Sequence, residues 1–351
     1  MKAALSRGTR KICIEDIPQP QIGEGDVLVK VYAAAVCGTD RRIYNFGHAR
    51  LREGELRVLG HEICGVVEKT GKKVKLFKEG DRVVVGSNIG CGNCDLCRQG
   101  LYNLCSVYDA IGLTLDGGFA QKVLVPETAI NQGGLLHFPD SIKLEQGALI
   151  EPFACVYNGF EQIDFTVGED VVIIGSGPIG IMTFMLFSSA GAGKVILANR
   201  SRERLEIASK LGVKYTVDTS TDDLKKAVME LTEGRGADIV ITACPSREVA
   251  EQAIDLLTTR GRLNFFGGLP KEDAFIKISP NKIHYDEIRV LGTHGSNNLQ
   301  LSKCIQLVKK GVVDLSALIT HRYQLEKIEE AINQKDKRAL KQVIFPNGLS
   351  E

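Results

Sequence analysis

The sequence predicts an α/β protein with two parts, a β-rich N-terminal domain and a doubly wound parallel sheet, and three observations carry this prediction. Up to about residue 150, short apolar strands such as GDVLVKVYAAAV and GDRVVVGS alternate with glycine turns. From residue 151 onward, apolar strands alternate with helical periods, which is typical of a parallel sheet covered by helices on both faces. The 351 residues leave room for two separate cores.

The domain boundaries are predicted where these patterns change. The β-rich domain covers residues 1–150 and contains a cysteine-rich lobe at 88–107, and the parallel-sheet domain covers 151–292. Residues 293–351 hold a helical stretch, NLQLSKCIQLVKKG, and a last strand, KQVIF. We expect this tail to return to the first domain.

Charge and hydropathy narrow the function classes. The net charge of +1 gives no bulk attraction to nucleic acid or to an anionic membrane. The N-terminus MKAALSRGTRKICIEDI lacks the apolar stretch of a signal peptide. The most apolar segment, VVIIGSGPIGIMTFMLF, is too short and too interrupted by glycine to span a bilayer. We therefore expect a cytoplasmic protein with no nucleic-acid or membrane partner.

Four cysteines stand in the stretch CGNCDLCRQGLYNLC, at Cys91, Cys94, Cys97 and Cys105. A disulfide knot, a redox pair or a metal cage could each account for this close spacing of cysteines. Cytoplasmic thiols stay reduced, and a redox C-x-x-C motif uses only two of the four. Four thiolates on a tight loop suit a tetrahedral zinc ion and fill every coordination position. The spacing therefore favours a structural zinc site that takes no part in the chemistry.

A glycine motif indicates a dinucleotide site. Gly175, Gly177 and Gly180 form G-x-G-x-x-G between an apolar strand and a helix, which is the context that this motif requires. The first glycine permits the turn, the second lets a pyrophosphate approach the backbone, and the third packs the helix on the strand. The helix N-terminus supplies a positive field for the phosphates.

The end of the next strand, ILANRSRER, bears on the choice of cofactor. A free ribose 2′-hydroxyl usually meets Asp or Glu there, but Asn199 occupies the position and Arg200, Arg202 and Arg204 follow it. Guanidinium groups bind a 2′-phosphate well, so NADP is favoured, with use of NAD left open. For Arg202 a solvated helix start is the better interpretation.

An open metal site needs donors from elsewhere in the chain. The motif VCGTD offers Cys37, LGHE offers His61 and Glu62, and IEPF offers Glu151. Each residue alone would be unremarkable. One sulfur, one nitrogen and one oxygen donor suit zinc and leave a fourth position for water or substrate.

Taken in order, C-G-T-D, G-H-E, the four-cysteine lobe, E-P and G-x-G-x-x-G resemble the zinc-dependent medium-chain alcohol dehydrogenases nearly end to end. The resemblance implies a GroES-like catalytic domain with a Rossmann cofactor domain. The Glu-Pro pair at 151–152 resembles the polyol (sorbitol) and threonine dehydrogenase branch, in which Glu replaces a cysteine near the catalytic zinc. The segment NKIHYDEIRVLGTHGS also looks like sugar-alcohol and cyclitol members.

The same resemblance assigns roles in the catalytic domain. Cys37 and His61 are expected to bind the catalytic zinc, and Glu62 and Glu151 to ligate it directly or through water. Two further residues are expected to act on these: Thr39 passes on the substrate proton, and Asp40 orients the zinc-bound histidine. The implied cofactor contacts beyond the glycine loop are Ile179, Arg204, Phe266, Gly267, Gly268, Thr293 and His294.

One position departs from the family pattern. Many relatives carry a histidine that ends a proton relay where this chain has Arg42. An arginine does not deprotonate at working pH and cannot shuttle a proton as imidazole does. Either protons leave through water and the ribose, or Arg42 has another task, such as gripping an anionic substrate or the cofactor.

The expected reaction is zinc-assisted hydride transfer between a secondary alcohol and NAD(P). The expected substrate is a polyol, sugar alcohol or cyclitol, with a phosphorylated one ranked lower. Rival interpretations are an aldose dehydrogenase, an L-threonine 3-dehydrogenase, and an inert family member that acts as a binding or structural protein. The resemblance also favours a homodimer or homotetramer.

Overall fold

The computed structural model describes residues 1–51, 54–270 and 273–349, and the chain divides into two compact units. One unit combines Met1–Ala154 with Gly295–Glu351, and the other is Cys155–His294. The boundaries predicted from sequence at 150/151 and 292/293 lie a few residues before these. The first transition falls inside a single helix, Ile150–Ile163, and a sequence pattern gives no signal for dividing a continuous helix.

The N-terminal segment is built from short strands joined by turns. Its strands are β1 (Lys2–Ser6), β2 (Ile12–Asp16), β3 (Val27–Ala35), β4 (Arg57–Val58), β5 (Glu62–Thr70), β6 (Arg82–Val85), β7 (Asn88–Ile89), β8 (Asp109–Ala110), β9 (Lys122–Val125) and β10 (Leu135–His137). Its helices are α1 (Gly38–Phe46), α2 (Asp95–Arg98), α3 (Glu127–Asn131) and the start of α4 (Ile150–Ile163). The longest strands, β3 and β5, pair antiparallel through most of their length and carry the centre of the core.

The second unit alternates strands and helices. They are β11 (Val171–Ile174), α5 (Pro178–Ser189), β12 (Val195–Asn199), α6 (Arg202–Lys210), β13 (Tyr215–Asp218), α7 (Leu224–Leu231), β14 (Ala237–Thr242), α8 (Arg247–Gln252), β15 (Leu257–Phe265), α9 (Pro280–Tyr285) and β16 (Arg289–Gly292). The sheet order is β13-β12-β11-β14-β15-β16, and every pairing is parallel. All four residues of β11 are buried, as expected for a strand covered on both faces. The predicted doubly wound parallel sheet is confirmed.

This strand order determines where a ligand can bind. The chain runs outward from β11 to β12 and β13, then crosses to β14 on the other side of β11. At such a switch point the loops after β11 and β14 separate and leave a crevice at the carboxyl ends of the strands. The glycine motif follows β11 directly and therefore lies at this crevice.

The C-terminal segment completes the first unit. It holds α10 (Asn298–Lys309), β17 (Ile319–Gln324), α11 (Ile328–Ile332) and β18 (Lys341–Phe345). β18 lies between β3 and β17 in the sheet β10-β6-β5-β3-β18-β17. Val36 donates a backbone hydrogen bond to Gln342, so the start of β18 lies beside the end of β3. Among the described residues no helix has the length and apolarity needed to cross a membrane.

Candidate active site and metal centres

The four-cysteine lobe brings its sulfur atoms into one cluster. The Sγ atoms of Cys91, Cys94, Cys97 and Cys105 all lie within 4.8 Å of one another, and those of Cys91 and Cys97 are 3.9 Å apart. Tetrahedral zinc with bonds of about 2.3 Å holds its sulfurs about 3.8 Å apart, so the cluster fits this ion. All ten cysteines are free thiols, so the disulfide alternative is not formed.

Local backbone geometry builds this cage. Cys94 caps α2, and its Sγ accepts a hydrogen bond from the N–H of Cys97 at 3.4 Å. Gly90 brings the chain in so closely that a Cβ atom there would lie 2.4 Å from the Sγ of Cys97. The side chain of Gln132 holds Gly90 from both sides, accepting from its N–H at 2.9 Å and donating to its carbonyl at 2.7 Å.

The lobe also favours negative charge at its outer cysteine. Backbone N–H groups of Asn93 and Cys94 lower the pKa of Cys91 to about 6. Burial instead raises the pKa of Cys97 to about 12. The thiolate at Cys91 and the neighbouring sulfurs suit a soft divalent cation, which takes thiolate ligands.

A second cluster joins Cys37, His61 and Glu62, whose donor atoms lie within 4.8 Å of one another. Cys37 is the N-cap of α1, His61 directly precedes β5, and Glu62 opens β5. The pairing of Ala35 with Glu62 brings the ends of β3 and β5 together, and both motifs lie there. Sulfur, nitrogen and oxygen donors in one group fit zinc with a position left open.

Asp40 ties the parts of this second cluster together. Its carboxylate is fully buried, accepts from the N–H of Cys37 at 2.8 Å, and accepts from the N–H of Gly60 at 3.3 Å. The same carboxylate lies 3.6 Å from Nδ1 of His61. Burial works against a charged imidazole, but the charges of Cys37 and Asp40 raise the pKa of His61 well above its usual range. Asp40 thus holds both the cysteine and the histidine in place.

Lys341 supplies a buried positive charge to the cluster. Its Nζ donates to both carboxylate oxygens of Glu62 and, at 3.3 Å, to the carbonyl of Val36. Burial lowers the pKa of Lys341, but the carboxylate of Glu62 more than offsets this and raises it, so the ammonium keeps its proton. Glu151, buried at the start of α4, acts electrostatically on both Glu62 and Lys341. Two carboxylates therefore share one buried cation.

The remaining catalytic-domain candidates lie on α1. Thr39 is half-buried in its first turn, one residue before the buried Asp40. Arg42 is exposed one turn further along.

The glycine loop has the geometry that the motif predicts. Gly175 has a φ of 119°, in the region that favours glycine, and a Cβ there would lie 2.8 Å from the carbonyl of Ala243. A Cβ at Gly180 would lie 1.8 Å from the carbonyl of Gly175, so the helix packs directly on the loop. Gly177 caps α5, with Ile179 in the first turn, and this cap makes no side-chain hydrogen bond within the described part of the chain.

Arginines surround the loop after β12. Asn199 ends this strand, and its side chain donates to the carbonyl of Ser201 at 3.3 Å. Arg200 is exposed and acts electrostatically on Cys244, which follows β14. The guanidinium of Arg204 reaches the glycine loop, 3.8 Å from where a Cβ of Gly177 would lie. Arg202 faces solvent with 84% of its side chain exposed and pairs with Glu206 at 3.8 Å.

The last cofactor candidates follow the strands β15 and β16. Gly267 donates to the carbonyl of Thr242, which places Phe266–Gly268 across the end of β14. Gly267 and Gly268 line a cavity of about 250 Å³ within this unit. Thr293 bonds to Asn264 at 3.4 Å, and His294 ends the unit. All of these residues lie at the carboxyl edge of the parallel sheet.

Known proteins match both units. Residues 23–133 match the family model of the alcohol dehydrogenase GroES-like domain, and residues 178–310 match that of the zinc-binding dehydrogenase. A sorbitol dehydrogenase from Bacillus subtilis is 32% identical over 99% of this chain and 98% of its own length. The chain belongs to the zinc-dependent medium-chain alcohol dehydrogenase family. The predicted family and the predicted GroES-like and Rossmann domains are confirmed.

Other members of this dehydrogenase family are similar over most of their length. An L-threonine 3-dehydrogenase from Rhizobium etli is 32% identical over 93% of this chain and 92% of its own. The 2R,3R-butanediol dehydrogenase of Bacillus subtilis has a TM-score of 0.89 at 31% identity, with 99% of each chain covered. A Sinorhizobium meliloti protein named a zinc-binding dehydrogenase, solved with NADP bound, has a TM-score of 0.91 at 32% identity, covering 98% of this chain and 99% of its own.

Two residues of the dehydrogenase's metal centres carried no signal in the sequence. Lys341 opens an apolar terminal strand and lies 279 positions from Glu62, so no local pattern links the two. Gln132 stands 42 positions from Gly90, in a loop with no recognisable motif. A lysine as the first residue of the strand KQVIF would indicate a buried partner only if the pairing of β18 with β3 were already known.

Proposed function

We propose that this dehydrogenase transfers hydride between a secondary alcohol of the polyol, sugar-alcohol or cyclitol class and a nicotinamide cofactor. The observation that carries the proposal is the cluster of Cys37, His61 and Glu62, with Thr39 on the helix that Cys37 caps. Relatives named sorbitol dehydrogenase and 2R,3R-butanediol dehydrogenase support this substrate class. The relative named L-threonine 3-dehydrogenase makes an amino alcohol the second candidate.

In this proposal Cys37 and His61 hold the catalytic zinc, with Glu62 or Glu151 as a further ligand, directly or through water. Zinc bound there supplies Lewis-acid polarisation of the alcohol or ketone oxygen and lowers the pKa of the hydroxyl. Asp40 keeps the imidazole and the cysteine oriented.

Lys341 offsets the charge of the two buried glutamates and so limits the negative charge of the site. A buried carboxylate with no cation beside it would be strongly disfavoured. Lys341 therefore sets the charge of the ligand group without having to touch the substrate.

Thr39 is the proposed proton carrier. A hydroxyl group accepts one hydrogen bond while it donates another, so Thr39 can take the substrate proton and pass one on. Arg42 on the next turn has only donors and cannot accept that proton.

The cofactor is proposed to be NADP, with NAD as the weaker alternative. Its pyrophosphate would lie at Gly175, Gly177 and Gly180, against the N-terminus of α5. Asn199 offers no carboxylate to a ribose 2′-hydroxyl, and Arg200 and Arg204 are placed to bind a 2′-phosphate. The relative solved with NADP bound supports the same preference.

The cofactor proposal predicts different effects for two arginines of the same loop. Arg200→Ala should raise the KM for NADP roughly tenfold or more and leave the KM for NAD within about twofold, because a charge-assisted contact to the 2′-phosphate is lost. Arg202→Ala is the matched control, since its side chain is exposed and paired with Glu206. Equal changes in the two KM values for Arg200→Ala would contradict the proposal.

The main test is a panel of initial rates on zinc-loaded enzyme. NAD and NADP are crossed with polyols, cyclitols, aldoses and threonine, for the wild type, Thr39→Val and Thr39→Ser. Polyols or cyclitols should be oxidised best, Thr39→Val should lower kcat by roughly a hundredfold or more, and Thr39→Ser should restore most of it. Turnover of threonine or an aldose alone would replace the proposed substrate class, and no turnover with two zinc ions bound would favour an inert family member.

We also propose a homodimer or homotetramer in the cytoplasm. In the described residues β16 pairs only with β15, so one edge of the parallel sheet remains open, and Val290 there is 40% exposed. The ten free cysteines support a reducing compartment.

A further inference from the structure

Helix α1 has two faces with different partners. Asp40, Ile43 and Tyr44 are buried against the unit. At about 100° per residue, Thr39, Arg42 and Phe46 lie together on the opposite face. Phe46 is 79% exposed, so this face is not packed against the unit that carries it. The proposed proton carrier, an arginine and an exposed aromatic ring therefore share one surface.

The two adjacent arginines of α1 behave differently. The guanidinium of Arg41 donates to the side chain of Gln342 and, at 3.5 Å, to the carbonyl of Gln334, so it attaches α1 to the C-terminal segment. The side chain of Arg42 is exposed and makes no hydrogen bond or ion pair with any residue in 1–51, 54–270 or 273–349. Its five N–H donors thus have no structural task among these residues.

A second cation follows on the segment after α1. The guanidinium of Arg50 stacks on the ring of Tyr108, 4.5 Å from its centroid, which fixes the position of its charge. Arg42 and Arg50 thus place two exposed guanidinium groups on α1 and on the segment that follows it.

The length of the Arg42 side chain limits which substrate atoms it can contact. Three residues along a helix correspond to about 4.5 Å, so the base of Arg42 lies one turn from Thr39 and its long side chain spans that distance. A guanidinium binds phosphate or carboxylate through two parallel N–H bonds, which neutral hydroxyls do not match.

We propose that Arg42 makes the enzyme select a secondary alcohol that carries an oxyanion, either a phosphate ester or a carboxylate, on a carbon near the reacting one. This statement rests on the proposed polyol dehydrogenase activity and names its substrate class more closely. Arg42 acts as a specificity residue, and Arg50 adds to the positive field. The relay histidine of other members is replaced by an anion-binding group.

The test compares three substrates of one chain length: sorbitol, its phosphate monoester and the corresponding aldonic acid. We expect kcat/KM of the wild type to be roughly 10- to 100-fold higher for one of the two anions than for sorbitol. The better anion identifies the source of the oxyanion. Arg42→Gln should remove this preference by lowering kcat/KM for the anion toward the value for sorbitol, and Arg42→Lys should retain part of it. Arg98→Gln, with 71% of its side chain exposed on the cysteine lobe, is the matched control and should change nothing.

Other outcomes separate the two proposals. If the wild type oxidises sorbitol as well as either anion, or if Arg42→Gln lowers all three equally, the selection by Arg42 is wrong and the dehydrogenase proposal stands. If Arg42→Gln raises the KM for the cofactor instead, Arg42 binds the cofactor and this inference fails. If the zinc-loaded wild type oxidises no polyol in any form, the proposed function itself fails. Zinc content and melting temperature of each variant show that the fold is intact.

Discussion

The two metal centres of this dehydrogenase are built in opposite ways. The lobe takes four cysteines from fifteen consecutive residues, 91–105, and all four donors are sulfur. The second centre takes Cys37 from the start of a helix and His61 and Glu62 from the start of a strand, and it depends on Lys341 from the far end of the chain. The donors of the lobe would fill all four positions of a tetrahedral ion, and those of the second centre would leave a position open.

This difference between the two centres shows how a reactive site is held within a stable fold. A closed thiolate cage needs only a tight loop, because its four donors fill every coordination position of the ion. An open centre must hold its donors in place without saturating the ion. Here Asp40 accepts hydrogen bonds from the backbone of Cys37 and of Gly60, the neighbour of His61, and Lys341 pairs with Glu62.

The largest expected contrast comes from removing one ligand at each centre. His61→Ala should lower kcat/KM about a thousandfold, because the metal supplies several kcal/mol to the reaction, while the melting temperature changes little. Cys94→Ser should lower the melting temperature instead and leave kcat per folded molecule within a few-fold. Metal analysis should fall from two zinc ions to one per chain in both variants.

The opposite pattern would reverse the assignment of the two centres. A Cys94→Ser protein that stays as stable as the wild type but loses turnover would make the lobe catalytic. Full turnover in His61→Ala would remove the second centre from the reaction.

The next largest effect is expected at Lys341. Lys341→Met removes the ammonium that the buried Glu62 contacts and should cost roughly 3–5 kcal/mol in the free energy of unfolding of the zinc-free protein. The double variant with Glu62→Gln should recover a large part of this loss, since the unpaired charge is then gone. Urea denaturation of the zinc-free proteins measures both, because a bound zinc ion would itself offset the charge of Glu62.

The chain offers a matched control for that substitution. Lys73 pairs with Glu24 at 2.8 Å, but both side chains are more than 60% exposed. Lys73→Met should therefore cost less than about 1 kcal/mol. If Lys341→Met cost no more than this control, the buried pair would not be the electrostatic partner that its geometry indicates.

The pair formed by Lys341 and Glu62 also marks the limit of what the sequence predicts. The lobe could be predicted from the sequence because its four ligands are neighbours at a spacing that suits tetrahedral zinc. The parallel sheet could be predicted because apolar strands alternate with helical patterns around the glycine motif. Cys37 and His61 were possible zinc donors by their chemistry, but only the resemblance assigned them to one site, since a lone cysteine or histidine is usually structural. The pairing of Lys341 with Glu62 exists only after β18 joins β3, which no local pattern encodes.

The smallest predicted effect concerns how the lobe holds its ion. Gln132 makes two hydrogen bonds to Gly90, which lies against the sulfur of Cys97. Gln132→Ala should leave Gly90 free to move and speed the loss of the lobe zinc to a chelator roughly three- to tenfold, because one or two neutral hydrogen bonds are lost. Gln99→Ala is the control, since among the described residues its side chain bonds only to the carbonyl of Asp95 within the lobe. Zinc release is followed with a colorimetric chelator, and turnover reports the catalytic ion separately. If both glutamine variants released zinc equally fast, the contact from Gln132 would add nothing to the cage, and the lobe would be stabilised by its own fifteen residues alone.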